Sequence, residues 1–234
     1  LLKLMKLEYQ KHRLSRYFKT IIICILSIFI AVALMAWGSR NESETMFPNF
    51  DEFMFLSNIL IRIVFMIFSG VLLSRLVIGE YQNKTMQLLF TYPLKRKKIM
   101  QAKLTIVFLF CFFSIFLATL VVGLLAFIVS PYIYLVDETI YITNIMSTIP
   151  SAILSALMMA GVCLIPLFFG MRKKSTSSTV TWAVLVGFLI NGTVSNGEAS
   201  VNLYQFIAIP ISFCLLGLFV AYITYRNVDK TDLA

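Results

Sequence analysis

KRKKIMQAKLTIVFLFCFFSIFLATLVVGLLAFIVS, running from Lys95 to Ser130, sets a cluster of cations against a stretch, Leu104–Ser130, that holds no charged residue. That stretch exceeds the ~20 residues a helix needs to cross the hydrocarbon core of a bilayer. Working outward, five more apolar segments follow the same pattern at about Thr20–Gly38, Phe53–Gly79, Ile145–Gly170, Val180–Ile190 and Gln205–Tyr225. The segment at Val180–Ile190 is short for a span; the others are near or above the required length. The chain therefore reads as an all-α membrane protein with six transmembrane helices.

Its orientation follows from where the cations fall. The N-terminal arm carries Lys3, Lys6, Lys11, Arg13, Arg16 and Lys19, and the second connection carries Lys84, Lys95, Arg96, Lys97, Lys98 and Lys103. The fourth connection carries Arg172, Lys173 and Lys174, and the tail carries Arg226 and Lys230. The opposite connections hold only Arg40, against Glu42, Glu44, Asp51, Glu52, Asp137, Glu138 and Glu198. Because Lys and Arg are retained on the cytoplasmic side, both termini are expected in the cytoplasm.

Six helices and their connections consume nearly all of the 234 residues, so the whole of 1–234 reads as a single transmembrane domain. A net charge of +9 would suggest nucleic acid in a soluble chain, but 59% hydrophobic residues reverse that expectation. A mean hydropathy of +0.88 points the same way. The cations face the inner leaflet instead. Cys24, Cys111, Cys163 and Cys214 each lie in a different apolar segment without metal-ligand spacing, and read as small apolar core residues.

A basic start followed by an apolar run with Ala31, Ala33 and Ala36 also fits a signal peptide, but the run is longer than a usual signal core. The arm over residues 1–19 has a pattern of its own. Leu4, Leu7, Leu14 and Phe18 recur at helical spacing, with Lys3, Lys6, Gln10 and Arg13 on another face and Lys11 interrupting the apolar stripe. This predicts an amphipathic helix lying in the membrane interface.

The connection from Gly79 to Lys98 is much longer than a hairpin between two spans needs. Glu80 sits near a helix start, where the dipole favours an acid, and Tyr81, Thr85, Leu88 and Leu89 can share one face. Pro93 ends that helix and holds Tyr92 extended before the cationic turn. A short helix with spare apolar residues can dock another protein. It can equally lie on anionic lipid, anchored by Lys95–Lys98 at about 1 kcal/mol per charge.

The run Glu80-x4-Thr85-x2-Leu88-Leu89-x3-Pro93-x2-Arg96, with Lys103 opening the next span, resembles the corresponding loop of ABC-2 type transporter permeases. The layout of six spans behind a basic amphipathic arm is similar too, so the resemblance covers the whole chain. Lys84 departs from the pattern, standing where a small residue, often Gly, is more usual. The resemblance implies a coupling helix at roughly Glu80–Thr91 that fits a groove of a separate ATP-binding subunit, with Glu80, Tyr81, Thr85, Leu88, Leu89, Pro93 and Arg96 as the contact residues. It further implies a multi-pass protein of the bacterial plasma membrane. The short single-domain form is similar to permeases of bacitracin and lantibiotic self-protection systems and to exporters of amphipathic peptides, which implies a peptide substrate. Exporters of lipid-like or small-molecule substrates and non-transporting immunity or sensory membrane proteins are the alternatives.

A separate motor agrees with the sequence. Gly170-Met171-Arg172-Lys173-Lys174-Ser175-Thr176 lacks the second Gly of a phosphate-binding loop and joins two membrane segments in place of a strand and a helix. No cofactor is expected on this chain; ATP and Mg belong to the partner. Two permeases, identical or related, are expected to enclose a pathway. Ala152, Ala156 and Ala160 give the small-residue spacing that allows close helix approach, between subunits or within one.

Arg62 lies roughly 14 Å along the second span, where a cation costs at least ~2.5 kcal/mol on insertion scales. Asn58, Arg62, Met66 and Ser69 follow helical spacing and make a part-polar stripe suited to a substrate route. Snorkelling of Arg62 to headgroups, or bonding to carbonyls of a neighbour, is the structural alternative. Asn191, Gly192, Asn196 and Gly197 favour turns after the short fifth segment, and the resemblance implies a re-entrant segment on the outer side around Gly192–Val201.

Intramembrane proteolysis is excluded on composition. The single His, His12, lies in the N-terminal arm, so no zinc site of the HExxH kind exists, and the spans offer no base to activate a Ser.

Overall fold

The computed structural model describes Met5 and residues 15–39, 47–79, 96–133, 136, 141–173, 175–195, 200–202 and 208–227. Among these the chain is helical except for one small hairpin. Helix α1 spans Ser15–Gly38, so it takes in the end of the basic arm as well as the first apolar run. Helix α2, Phe50–Leu73, opens with Asp51 and Glu52 in its first turn, where the helix dipole favours acids. It continues into a π-helical turn at Ser74–Ile78. Helix α3 runs 38 residues from Arg96 to Ile133, starting well before the apolar stretch it contains.

Helix α4, Ile142–Val162, carries Pro150 within it. Residues Cys163–Ile165 then form turns, and Pro166 opens a new short helix, α5, Pro166–Lys173. The break has a local cause, because a proline lacks the N–H that would continue the ladder and biases the residue before it away from helix. Helix α6, Thr176–Ile190, begins at Ser175, whose hydroxyl accepts from the Ser178 N–H at 3.5 Å. Strands β1, Thr193–Ser195, and β2, Ser200–Asn202, pair antiparallel with Val194 opposite Val201. Helix α7 is Ala208–Asn227.

Among the described residues, five helical stretches are long and apolar enough to cross a membrane: Tyr17–Gly38, Phe50–Ile78, Lys97–Pro131, Ile142–Lys173 and Ala208–Arg226. The remaining apolar helix, α6, has 15 residues, or about 22 Å at 1.5 Å each against a core of about 30 Å. It is longer than the expected Val180–Ile190 because the Ser175 cap recruits Thr176–Thr179, yet it stays below spanning length. A second difference follows it. Where the resemblance implies a re-entrant segment, the described residues form strand, since Thr193, Val194 and Val201 are β-branched and flank an Asn-Gly pair in sequence. The arm over residues 1–14, apart from Met5, and the expected coupling helix lie outside the described residues.

Two compact units divide these elements. One comprises Ser15–Val64 and Phe113–Ala156. Its interior is built on Val32, Phe53, Ala118, Val122 and Ala126, all buried, with Gly123 lying against Met54 and Phe47 edge-on to Phe53 at 5.7 Å. Outward it shows Ile22, Ile23, Ile30, Leu34 and Trp37 of α1 exposed, the surface expected where lipid replaces water.

The other unit is built mainly from Phe65–Phe112 and Leu157–Ala234. Small residues hold it together, because with lipid as solvent the helices gain by close approach more than by burying apolar area. A side chain on Gly70 would overlap Ala183, and one on Gly170 would overlap Thr179. Gly161 and Gly217 meet so closely that any Cβ on Gly217 would strike the Gly161 carbonyl. Between these contacts Phe169 stacks on Trp182 at 3.6 Å.

Candidate functional site

The end of the second span departs from regular helix at the residue where the long connection begins. In the turn Ser74–Ile78 the Gly79 N–H bonds back five residues to the Ser74 carbonyl. Such a turn widens the helix by one residue and leaves its carbonyls poorly matched to intrahelical donors, which is why π-turns persist only where something else supports them. Leu76, Val77 and Ile78 are buried here, so water cannot supply that support.

Lys103 supplies it. Its side chain is completely buried, and its ammonium donates to the Leu76 carbonyl at 2.9 Å. A further interaction engages the same residue. An ammonium held away from water is costly unless its protons find acceptors, and a carbonyl in an apolar site is costly unless it finds a donor. The pair answers both needs. It also joins the last turn of the second span to the second turn of α3, across the connection that contains Glu80–Pro93.

From this junction packing continues into α5 and α6. A Cβ on Gly170 would approach the Ile78 side chain at 3.0 Å. Thr179 is buried beside Gly170 and donates to the Ser175 carbonyl at 3.1 Å. Gly170 thus lies between Ile78 of the π-turn and Thr179 of α6, with no room for a side chain of its own.

Of the residues expected to couple to a motor, Glu80, Tyr81, Thr85, Leu88, Leu89 and Pro93 lie outside the described residues. Arg96 is the first residue of α3. The polar stripe of the second span separates into two kinds of position. Asn58 is half-buried and sits with its Oδ1 3.2 Å from the Thr119 hydroxyl, which also reaches the Ile115 carbonyl at 3.1 Å. With one proton, that hydroxyl donates to one acceptor at a time. Arg62 is half-buried and engaged by an interaction of its own. Met66 is fully buried with Gly187 packed against it, and Ser69 is buried with its hydroxyl donating to the Met66 carbonyl at 2.7 Å. Those two positions are filled by neighbours.

The thiols of Cys111 and Cys163 meet at 2.7 Å in the interior, while Cys24 and Cys214 are half-buried, and all four are free. Among the described residues no group of His, Cys, Asp or Glu is arranged to hold a metal ion.

Sequence reading placed Lys103 at the mouth of the third span and so passed over it. The signal lay in the residues before it. Ile99, Met100 and Ala102 are apolar and Gln101, Lys97 and Lys98 are good helix formers, which carries the helix back to Arg96 and leaves Lys103 two turns inside.

Comparison with known proteins bears on what such a junction serves. A protein of Bacillus subtilis (strain 168), named only as the uncharacterized protein YcbO, is 30% identical over 231 residues, covering 99% of this chain and 100% of that protein. Residues 4–191 match the family model described as ABC-2 family transporter protein. That match takes in the basic arm, the long connection, the π-turn and Lys103, and the family is one of membrane subunits that work with a separate ATP-binding subunit. The chain belongs to the ABC-2 transporter family, as a multi-pass transmembrane subunit of an ABC transporter.

Proposed function

We propose that this subunit exports amphipathic or antimicrobial peptides from the bacterial plasma membrane or cytoplasm, paired with a second copy or a related permease and with two ATP-binding subunits. The observation that carries the motor side is the Lys103–Leu76 bond, which anchors both ends of the connection where the coupling residues lie. ATP-driven closure of the motor pushes on the helix at Glu80–Thr91. The anchored π-turn passes that push to α5, α6 and the second span. The peptide substrate rests on the likeness to short self-protection permeases. Its route is assigned to the second span at Asn58 and Arg62, the two stripe positions that neighbours leave partly open. The whole chain acts as one permease domain.

In this reading α6 is the fifth of six spans, its shortness made up by residues at either end, and both termini are cytoplasmic. The segregation of Lys and Arg supports that orientation. In a background without native Cys, single cysteines at Ser43, Thr139 and Asn196 react with an impermeant thiol reagent on intact cells, and those at Asn83 and Ser175 do not. Labelling at Ser175 from outside removes the six-span arrangement. Coupling is tested by replacing Leu88 and Leu89 together with Asp. Membrane insertion persists, and co-purification of the ATP-binding subunit is lost. Undiminished co-purification and ATP turnover in that variant sinks the proposed docking.

A further inference from the structure

A cleft of about 380 Å³ opens between α3 and α7 within the unit that contains Lys103. That volume falls in the range of small-molecule sites, roughly 300–1,000 Å³. Its walls are mainly apolar, with Thr105 and Phe108 from α3, Leu164 from the break after α4, and Leu218 and Tyr222 from α7. Tyr222 is 57% exposed, so the cleft is open to its surroundings along one side.

Helical register adds a charged end to this apolar trough. Lys98, Gln101, Thr105 and Phe108 follow one another at steps of three and four residues, so they form one stripe of α3. Leu218, Tyr222 and Arg226 do the same on α7, at steps of four. Lys98 stands at the start of α3 and Arg226 at the end of α7, both exposed and both one turn beyond residues that line the cleft. Gln101 adds an exposed amide at the same end. The carboxylates among the described residues are Asp51 and Glu52, and both belong to the other unit. From Lys98 to Phe108 the stripe runs about 15 Å, the depth of one hydrocarbon leaflet.

We infer that this cleft holds an acyl chain of an anionic phospholipid, with Lys98 and Arg226 taking the headgroup phosphate and Gln101 donating to its ester region. The apolar walls match the chain, the two cations match the phosphate, and the run from Lys98 to Phe108 matches the depth of one leaflet. Tyr222 and Tyr225 supply the amphipathic rings favoured at headgroup level. The site is independent of the peptide assignment.

The test is native mass spectrometry of the full chain taken from vesicles of phosphatidylcholine and phosphatidylglycerol in equal parts. The parent retains one phosphatidylglycerol per chain. Ala221 of α7 also lines the cleft, and Ala221→Trp, which fills it, loses the lipid. The surface variant Lys98→Gln with Arg226→Gln keeps a lipid, and its preference for phosphatidylglycerol falls about fivefold for each cation removed. Unchanged preference in the charge variant overturns the inference. So does undiminished retention in Ala221→Trp, or a cleft that is occupied by a second copy, seen as loss of self-association in that variant with lipid retention intact.

Discussion

Arg62 and Lys103, two cations placed in apolar helices, meet opposite fates. Arg62 lies in the middle of the second span and stays half-exposed. Lys103 lies two turns inside the third helix and is fully buried against a carbonyl of a π-turn. By hydropathy alone Arg62 is the anomaly and Lys103 an ordinary cation at a membrane edge. The difference teaches that what a charge does near a membrane depends on whether protein or solvent surrounds it, more than on its distance from the end of the apolar run. Arg62 is half-buried and engaged by an interaction of its own. Lys103 has exchanged water for a backbone partner, so its contribution is tied to one geometry of the junction.

Substitution separates the two at once. Lys103→Ala strips the Leu76 carbonyl of its donor and leaves a cavity, a combined loss of about 3 kcal/mol or more. In thermal unfolding in a fixed detergent it is the largest single-site effect of this set. Lys103→Met keeps the volume of the stem and forfeits the ammonium's polar interactions, the Leu76 bond among them, costing about 1–3 kcal/mol. Arg62→Leu in the same measurement costs less than Lys103→Met, since Arg62 is half-buried where Lys103 is fully buried and Leu suits the apolar zone. A destabilisation by Arg62→Leu as large as that of Lys103→Met would erase the distinction.

The same contrast applies to glycines. Gly217→Ala drives a Cβ into the Gly161 carbonyl, an overpacking cost of about 1–3 kcal/mol that lowers the unfolding temperature. Gly38 at the end of α1 has nothing within 4 Å of such a Cβ, so Gly38→Ala leaves the unfolding temperature close to the parent's. The smallest effect belongs to the α6 cap. The Ser175–Ser178 bond is long at 3.5 Å, so Ser175→Ala costs about 0.5 kcal/mol, the low end for an N-cap. A loss above ~2 kcal/mol there would mean that α6 depends on its cap far more than this bond implies.

Much of this architecture was legible because bilayer length and charge segregation act on whole segments. Leu104–Ser130 announces a span whichever residue begins its helix. What was not legible depended on single bonds or on contacts distant in sequence. Nothing within Ser74–Ile78 distinguishes a π-turn from ordinary helix; its support comes from Lys103, 27 residues away. The start of α3 was misplaced because Arg96–Lys98 read as a cationic loop, although Arg and Lys are good helix formers. Pro166 does signal the break after α4, within an apolar run long enough to read as one segment. Gly161 and Gly217 are ordinary glycines in two different apolar segments until their helices meet. In the polar stripe, periodicity groups Asn58, Arg62, Met66 and Ser69 but cannot say which turns of a face are covered. Met66 proved buried and Asn58 and Arg62 did not. The coupling residues from Glu80 to Pro93 rest on the amphipathic pattern and the family likeness.

The central claim is that the Lys103 junction transmits between the motor and the membrane helices. The measurement that reaches it most directly is substrate-stimulated ATP turnover by the assembled transporter, comparing Lys103→Met with the parent after both have been shown to hold equal amounts of the ATP-binding subunit. The account predicts that Lys103→Met assembles normally and keeps basal turnover but loses the stimulation. Full stimulation in Lys103→Met would contradict it, reducing Lys103 to a buried contributor to stability.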